Sequence, residues 1–259
     1  MSVLCYHAVE TDWHSPMSVA PPAFEQHCRW LARHRTVLPL DEAVRAMSRS
    51  GRLPRRLSAL TFDDGFACLH SEVLPRLLRW GLPATVFLVA ETLTPQGRAV
   101  DWVDTPPAYP LRTLTLDQVL EMKDAGVDFQ SHSWAHRDLT SLSYDECLED
   151  LRRSRDLLGD LLGVSVTAVA YPRGRHDAMV RTAASAAGYS RAYALPERHE
   201  TPGPFAVPRV GVHRGNGTGV LRLKESPPYL AARTSPVYQR VRAALRAARM
   251  VRRPSVPHR

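Results

Sequence analysis

Residues 57–65 read LSALTFDDG. An apolar run climbs to Phe62 and delivers two adjacent carboxylates, Asp63 and Asp64, before Gly65. The run is too short for a helix and suits a strand buried in a sheet. Two like charges side by side at its end would repel unless a cation or a shared proton resolved the conflict. Taken alone, DDG also reads as an Asx-type turn in which the aspartates bond backbone amides.

Working outward, the same strand-then-helix rhythm recurs along the chain. VLCYH (3–7) reads as a first strand, and PPAFEQHCRWLARH (21–34) as a helix opened by two prolines, with His27 and His34 on its surface. LDEAVRAMSRS continues as a second helix, EVLPRLLRWGL as a helix closed by Gly81, and PATVFLVA (83–90) as a strand. Residues 91–113 carry four prolines and little periodicity, and read as a long irregular loop or lid. Helix signatures return in TLDQVLEMKDAG, with its Thr cap, and in SYDECLEDLRRSRDLLGDLLG, with a Ser143…Glu146 capping box and a terminal Gly163. VDFQSH, VTAVAYP, YSRAYAL and FAVPRVGVH (205–213) read as the remaining strands, and DAMVRTAASAAG as a helix between them. Seven or so strands alternating with helices in roughly 210 residues predict an α/β fold, a parallel sheet closed or nearly closed into a barrel. In such barrels chemistry gathers at the C-terminal ends of strands. Asp63, Asp64, His132 and Tyr171 all fall there.

SHSWAHRDL places His132 and His136 four apart, a spacing that on one helical turn would point both imidazoles the same way. Two histidines and a carboxylate make a three-ligand set for a divalent metal with a position open for water.

Bulk properties bound the alternatives. The net charge of +8 owes much to the tail VYQRVRAALRAARMVRRPSVPHR, which carries seven arginines and no acid. A nucleic-acid groove would need a basic stripe through the body, so no nucleic-acid partner is expected. Over 235–253, Val237, Val241, Ala244, Leu245 and Ala248 fall near one face with arginines around the others. That pattern suits either peripheral contact with an anionic membrane or a solvated tail. No apolar stretch reaches the roughly eighteen residues of a membrane span. The opening MSVLCYHAVE lacks a basic n-region and a cleavage pattern. The expected location is cytoplasmic or peripheral at the membrane, with an upstream start still open. Cys5, Cys28, Cys68 and Cys147 are scattered without a CxxC pair and read as reduced thiols.

In this order, LTFDDG, SHSWAH and AYPRG resemble the polysaccharide deacetylase family, the NodB-homology carbohydrate esterases. LCYHAV, SPMSVAPPAFEQHCRWLARH, LPATVFLVA, LTLDQVLEMKDAGVDFQSHSWAHRDLTSLS and VPRVGV extend the likeness toward its exopolysaccharide and poly-N-acetylglucosamine deacetylase branch, over about residues 3–213. The resemblance implies a distorted (β/α)7-type barrel over 1–215, followed by a basic tail over 216–259. It implies metal-dependent removal of N-acetyl groups from an N-acetylated carbohydrate by attack of a metal-bound water. Carried over, Asp64, His132 and His136 match the metal ligands and Asp63 the general base. The oxyanion donor falls just after Tyr171-Pro172, at the N–H of Arg173. Trp134 and Tyr171 flank the metal motif and are candidates to stack on a sugar ring. Zinc suits Asp-His-His, and cobalt, nickel or iron would fit the same ligands.

The sequence departs from the family pattern in three places. The late Leu-x-His motif is represented only by VGVHRG, so His7 at the end of the first strand is favoured over His213 as general acid. The third motif's base-positioning arginine is replaced by Val169-Ala170 before Tyr-Pro. The fourth motif's Asp-Trp is absent from its usual place, and DWVDTPP (101–107) is assigned to the lid. Two rivals stay open: an amidase of the same fold acting on a small N-acyl or cyclic amide, and a non-catalytic carbohydrate-binding relic.

Overall fold

A computed structural model of the chain describes residues 2–50, 56–195 and 203–226, with 228, 229, 232 and 235. In order the elements are β1 (Ser2–Tyr6), the short strands β2 (Ala8–Val9) and β3 (Ser18–Val19), α1 (Pro21–His34), β4 (Thr36–Val37), α2 (Leu40–Ser50), β5 (Leu57–Phe62), α3 (Leu74–Trp80), β6 (Ala84–Leu88) and α4 (Leu116–Asp124). There follow β7 (Asp128–Ser131), α5 (Tyr144–Leu162), β8 (Ala168–Ala170), α6 (Ala178–Ala186), β9 (Arg191–Ala194), β10 (Val207–Pro208), β11 (Val210–Gly211) and α7 (Thr218–Lys224). The predicted end signals are in place. Thr115 and Ser143 form capping boxes with Gln118 and Glu146, and Gly81 and Gly163 close their helices in the left-handed region.

The main sheet runs β10-β9-β8-β7-β6-β5-β1-β11 with every pair parallel, and β4 adds to the start of β5. β10 and β11 lie on opposite edges, yet only Arg209 separates them in sequence. Residues 207–211 therefore pass from one edge to the other and nearly close the sheet into a barrel. The single strand expected over 205–213 is in fact this broken stave. Pro208 has no N–H to continue a ladder, which suits a break at that point.

Side chains alternate across the wall. Leu4, Tyr6, Leu60, Phe62, Val86 and Leu88 face the helices in the larger core cluster. Val3, Ala59, Phe87, Ala168, Ala170, Tyr193 and Val207 form a second cluster, which Leu40, Ala43 and Val44 of α2 join. In register, Val3 opposes Ala59 and Cys5 opposes Thr61, so the next layer toward the C-terminal mouth is more polar. His27 is not a surface residue: α1 turns it fully inward, where its Nδ1 pairs with the Tyr6 hydroxyl at 3.2 Å.

Residues beyond 215 begin by packing on the barrel. Leu221 is buried, and Lys224 Nζ donates to the Gly211 carbonyl at 2.7 Å. At the N-terminal end of the strands the buried Glu225 carboxylate accepts from Ser2 Oγ (2.5 Å), Ser58 Oγ (2.6 Å) and Arg35 Nε (2.8 Å). Beyond Ser235, the amphipathic helix expected over 235–253 lies outside the described residues. Among the described residues no helix is long and apolar enough to cross a membrane. Replacing Glu225 by alanine strands two buried hydroxyls and one half of a mostly buried ion pair. The expected cost is about 3 kcal/mol, read as a lower denaturant midpoint with an unchanged slope.

Candidate metal centre and active site

The FDDG turn separates its two carboxylates. Asp63 continues the strand, donating its N–H to the Tyr6 carbonyl at 3.0 Å. Asp64 (φ 71°) and Gly65 (φ 66°) are both left-handed and turn the chain sharply. A Cβ on Gly65 would sit 2.6 Å from Leu88 Cδ2 and Leu88 would have to shift, so glycine suits this left-handed position best.

Asp63 pairs with Arg209, whose side chain is wholly buried. Nη1 donates to Oδ1 at 2.6 Å and Nη2 to Oδ2 at 2.7 Å, while Cys5 Sγ lies 3.4 Å from Oδ2. The guanidinium also lies over the Phe87 ring at 5.3 Å. Burial alone would raise the Asp63 carboxyl, but Arg209 and His132 overcome it and hold the group well below the usual carboxylate range. Asp64 has no such partner. Burial and the neighbouring Asp63 charge push its carboxyl up to about 8.

His132 follows β7 directly, and its Nδ1 lies 2.7 Å from the Ala170 carbonyl. That contact assigns the proton to Nδ1 and turns the Nε2 lone pair toward Asp64 Oδ1, 3.6 Å away. His136 Nε2 lies 3.3 Å from the same oxygen. The four-residue spacing does not act through a helix. Residues 132–136 are a loop in which Ser133 (φ 71°) and His136 (φ 54°) are left-handed, and that loop brings the second ring round. Ser133 Oγ accepts from the His136 N–H at 3.1 Å, and Asp150 of α5 accepts from the Trp134 N–H at 2.8 Å. Burial lowers both imidazoles, His136 to about 2, so both are neutral with lone pairs available.

These observations fit a divalent cation. One donor atom from each of Asp64, His132 and His136 lies within 4.8 Å of the others, all three residues are buried, and Asp64 Oδ2 and His136 Nδ1 lack hydrogen-bond partners. A carboxyl forced up by burial beside two neutral imidazoles is a site that a positive charge would stabilise.

A cleft of about 330 Å³ opens over this cluster, lined in part by His7, Asp63, His132, His136, Trp102 and Arg173. His7 is thus placed at the cleft, its imidazole lowered to about 4 by burial. His213 is exposed and does not line it. Arg173 (φ 57°) lines it, whereas Pro172 is buried beneath. Two expected sugar-stacking rings do not reach the cleft. Trp134 is buried with the Arg153 guanidinium 3.7 Å from its ring centre. Tyr171 is fully buried, donates its hydroxyl to the Phe205 carbonyl at 3.1 Å and stacks on His176.

Two site residues escape the sequence reading. Arg209 makes with Asp63 the arginine–carboxylate pairing that the sequence reading sought near residue 170. Its only local signal is a charge set among apolar residues in FAVPRVGV. Trp102, assigned to the lid, donates Nε1–H to Asp64 Oδ1 at 3.0 Å and stacks on His136.

Comparison with known proteins places this arrangement. The family model described as polysaccharide deacetylase matches residues 50–192. Bacillus subtilis (strain 168) YxkH is 24% identical over 191 residues, which make up 73% of this chain and 62% of that protein. The poly-beta-1,6-N-acetyl-D-glucosamine N-deacetylase of Staphylococcus epidermidis (strain ATCC 35984) is 25% identical over 208 residues, covering 74% of this chain and 67% of that one. The chain thus spans about two thirds of the length of these relatives. Among solved structures, Streptococcus pyogenes deacetylase PplD in complex with acetate superposes with a TM-score of 0.73 at 26% identity, over 88% of this chain and 98% of that one. IcaB from Ammonifex degensii shares the fold, with a TM-score of 0.68 at 23% identity, over 89% of this chain and 95% of that one. With more than half its length matched by the family model, this chain belongs to the polysaccharide deacetylase family.

Proposed function

We propose that this chain is a divalent-metal-dependent hydrolase that removes N-acetyl groups from an N-acetylated sugar polymer. One observation carries the reading. In a single buried cleft, Asp64 faces two imidazole Nε2 atoms, while the adjacent Asp63 is held apart by Arg209. The staphylococcal relatives' names supply the substrate class, a poly-N-acetylglucosamine. Asp64, His132 and His136 would hold the cation, and an Asp-His-His set suits zinc.

When bound, such a cation acidifies a water molecule and polarises the acetyl carbonyl. Arg209 divides the labour between the carboxylates. It keeps Asp63 ionised beside Asp64, so Asp63 stays free to accept a proton at Oδ2, which lies 4.0 Å from His132 Nε2. A carboxylate held this low is a weak base and suits only an acidified donor. The departing nitrogen must gain a proton, and His7 is the cleft histidine assigned to give it. One of its ring nitrogens lies within 4.8 Å of an Asp63 oxygen, close enough for a proton taken by Asp63 to pass on through one intervening water.

The test is acetate release from N-acetylglucosamine oligomers by protein stripped with a chelator and then reloaded. Stripping is expected to abolish release and zinc or cobalt to restore it, and His132→Ala should fall below about one hundredth of wild type. Full release by stripped protein, or by His132→Ala, would overturn the assignment.

A further inference from the structure

Residues 98–113 form no helix or extended strand, yet they are fixed at several points. At the far end, the Ala67 N–H donates to the Arg112 carbonyl and the Leu114 N–H to the Gly65 carbonyl, both at 2.8 Å. In the middle, Trp13 Nε1 donates to the Thr105 carbonyl at 2.7 Å. Arg173 grips the same stretch with both ends of its fork, Nη1 to Asp104 Oδ1 at 3.0 Å and Nη2 to the Trp102 carbonyl at 2.9 Å. From this anchored backbone the Trp102 side chain enters the metal centre. Its Nε1–H donates to Asp64 Oδ1 at 3.0 Å, and its ring stacks on His136 with centroids 5.1 Å apart and planes 21° from parallel. Trp102 therefore touches two of the three ligand residues, and Arg173 touches the backbone that delivers it.

The geometry points to Trp102 as a positioning residue for the cation, held in place by Arg173, so that cation binding and the docking of residues 98–113 are coupled. The inference rests on the metal-centre reading above. Its physical basis is that a ligand carboxylate with a fixed hydrogen-bond donor on one oxygen is oriented before the cation arrives. Partners of this kind are typically worth about 10- to 100-fold in metal affinity. Coupling is reciprocal: if the docked segment strengthens cation binding, the cation must strengthen docking by the same factor. The cation and the docked cleft wall that a sugar would meet then stabilise one another.

Phenylalanine at 102 keeps a ring for His136 and removes only the N–H, which makes Trp102→Phe the informative variant. Zinc affinity measured by chelator competition is expected to fall about 10- to 100-fold in Trp102→Phe. Arg173→Met should lose several-fold, and the double variant should bind no more weakly than Trp102→Phe alone, because Arg173 acts through Trp102. The visible absorption of the cobalt-loaded protein should change in Trp102→Phe, which a loss of general stability would not produce. Zinc should slow tryptic cleavage after Arg98 and Arg112 in wild type and fail to do so in Trp102→Phe. Wild-type zinc affinity and an unaltered cobalt spectrum in Trp102→Phe would overturn the proposal. Should that variant not fold, Arg173→Met, changed at a partly exposed side chain, carries the same test, and unchanged affinity there overturns it equally. A wild-type chain that takes up no zinc would instead overturn the metal reading and this inference together.

Discussion

Replacing Asp63 by asparagine is expected to lower kcat about 1,000-fold, with little change in KM and with one zinc still bound per chain. The same substitution one residue later, Asp64→Asn, is expected to abolish zinc uptake. The contrast follows from the turn between them. Left-handed backbone at Asp64 and Gly65 sends the second carboxylate to His132 and His136, while the first stays in strand register and meets Arg209. Asparagine nearly matches aspartate in shape but cannot accept the proton that hydrolysis must remove. The defect therefore belongs to the transition state and not to substrate binding, and it appears in kcat. Metal content by mass spectrometry, set beside steady-state acetate release for both variants, checks the division of roles. Zinc lost from Asp63→Asn, or retained at full affinity by Asp64→Asn, would reverse the assignment of the two aspartates.

The reason one half of this site is legible in the sequence and the other is not lies in how far its contacts reach. Strand and helix identities are local. Pro21-Pro22, the Thr115 and Ser143 caps, and Gly81 and Gly163 announce ends that the structure reproduces residue for residue. The placing of Asp63, Asp64 and His132 at one mouth follows from parallel strands alone, because each sits just past a strand's C-terminal end. His136 joins Asp64 and His132 in space, but not through the helical face that its spacing suggests. Spacing of four suggests a helical face, whereas a loop with two left-handed residues brings the ring round, and no propensity scale rewards that conformation at Ser133 or His136. Trp134, beside those histidines in sequence, turns away because Asp150 and Arg153 of α5 hold it from behind. Trp102 and Arg209 escape for the opposite reason. They lie 38 and 146 positions from the aspartates they contact, one in a stretch without periodicity and the other between two strands too short to show any. Only closure of the barrel brings Arg209 inside.

Arg209→Met is expected to destabilise the chain by about 3–5 kcal/mol and to remove most activity with it. Arg209 is the only residue between β10 and β11, so its side chain enters the barrel where the two sheet edges approach. It is fully buried there, bonded through both Nη atoms to Asp63 and also to Thr61 Oγ1 at 3.3 Å. Methionine would fill much of the space and leave Asp63 as a buried carboxylate without its counter-charge. Asp63 must then either ionise alone in a low dielectric or protonate beside Asp64, and a protonated Asp63 cannot act as base. Lysine keeps the charge but offers a single ammonium in place of the planar fork, so Arg209→Lys should recover only part of either loss. The double variant Asp63→Asn/Arg209→Met separates the two effects. With both charges gone, its denaturant midpoint should lie above that of Arg209→Met, because no ion is left stranded, while acetate release stays at the level of Asp63→Asn. Additive destabilisation in the double variant would mean that Arg209 holds the barrel closed through its packing, over Phe87 and against the strands, and not through its bond to Asp63.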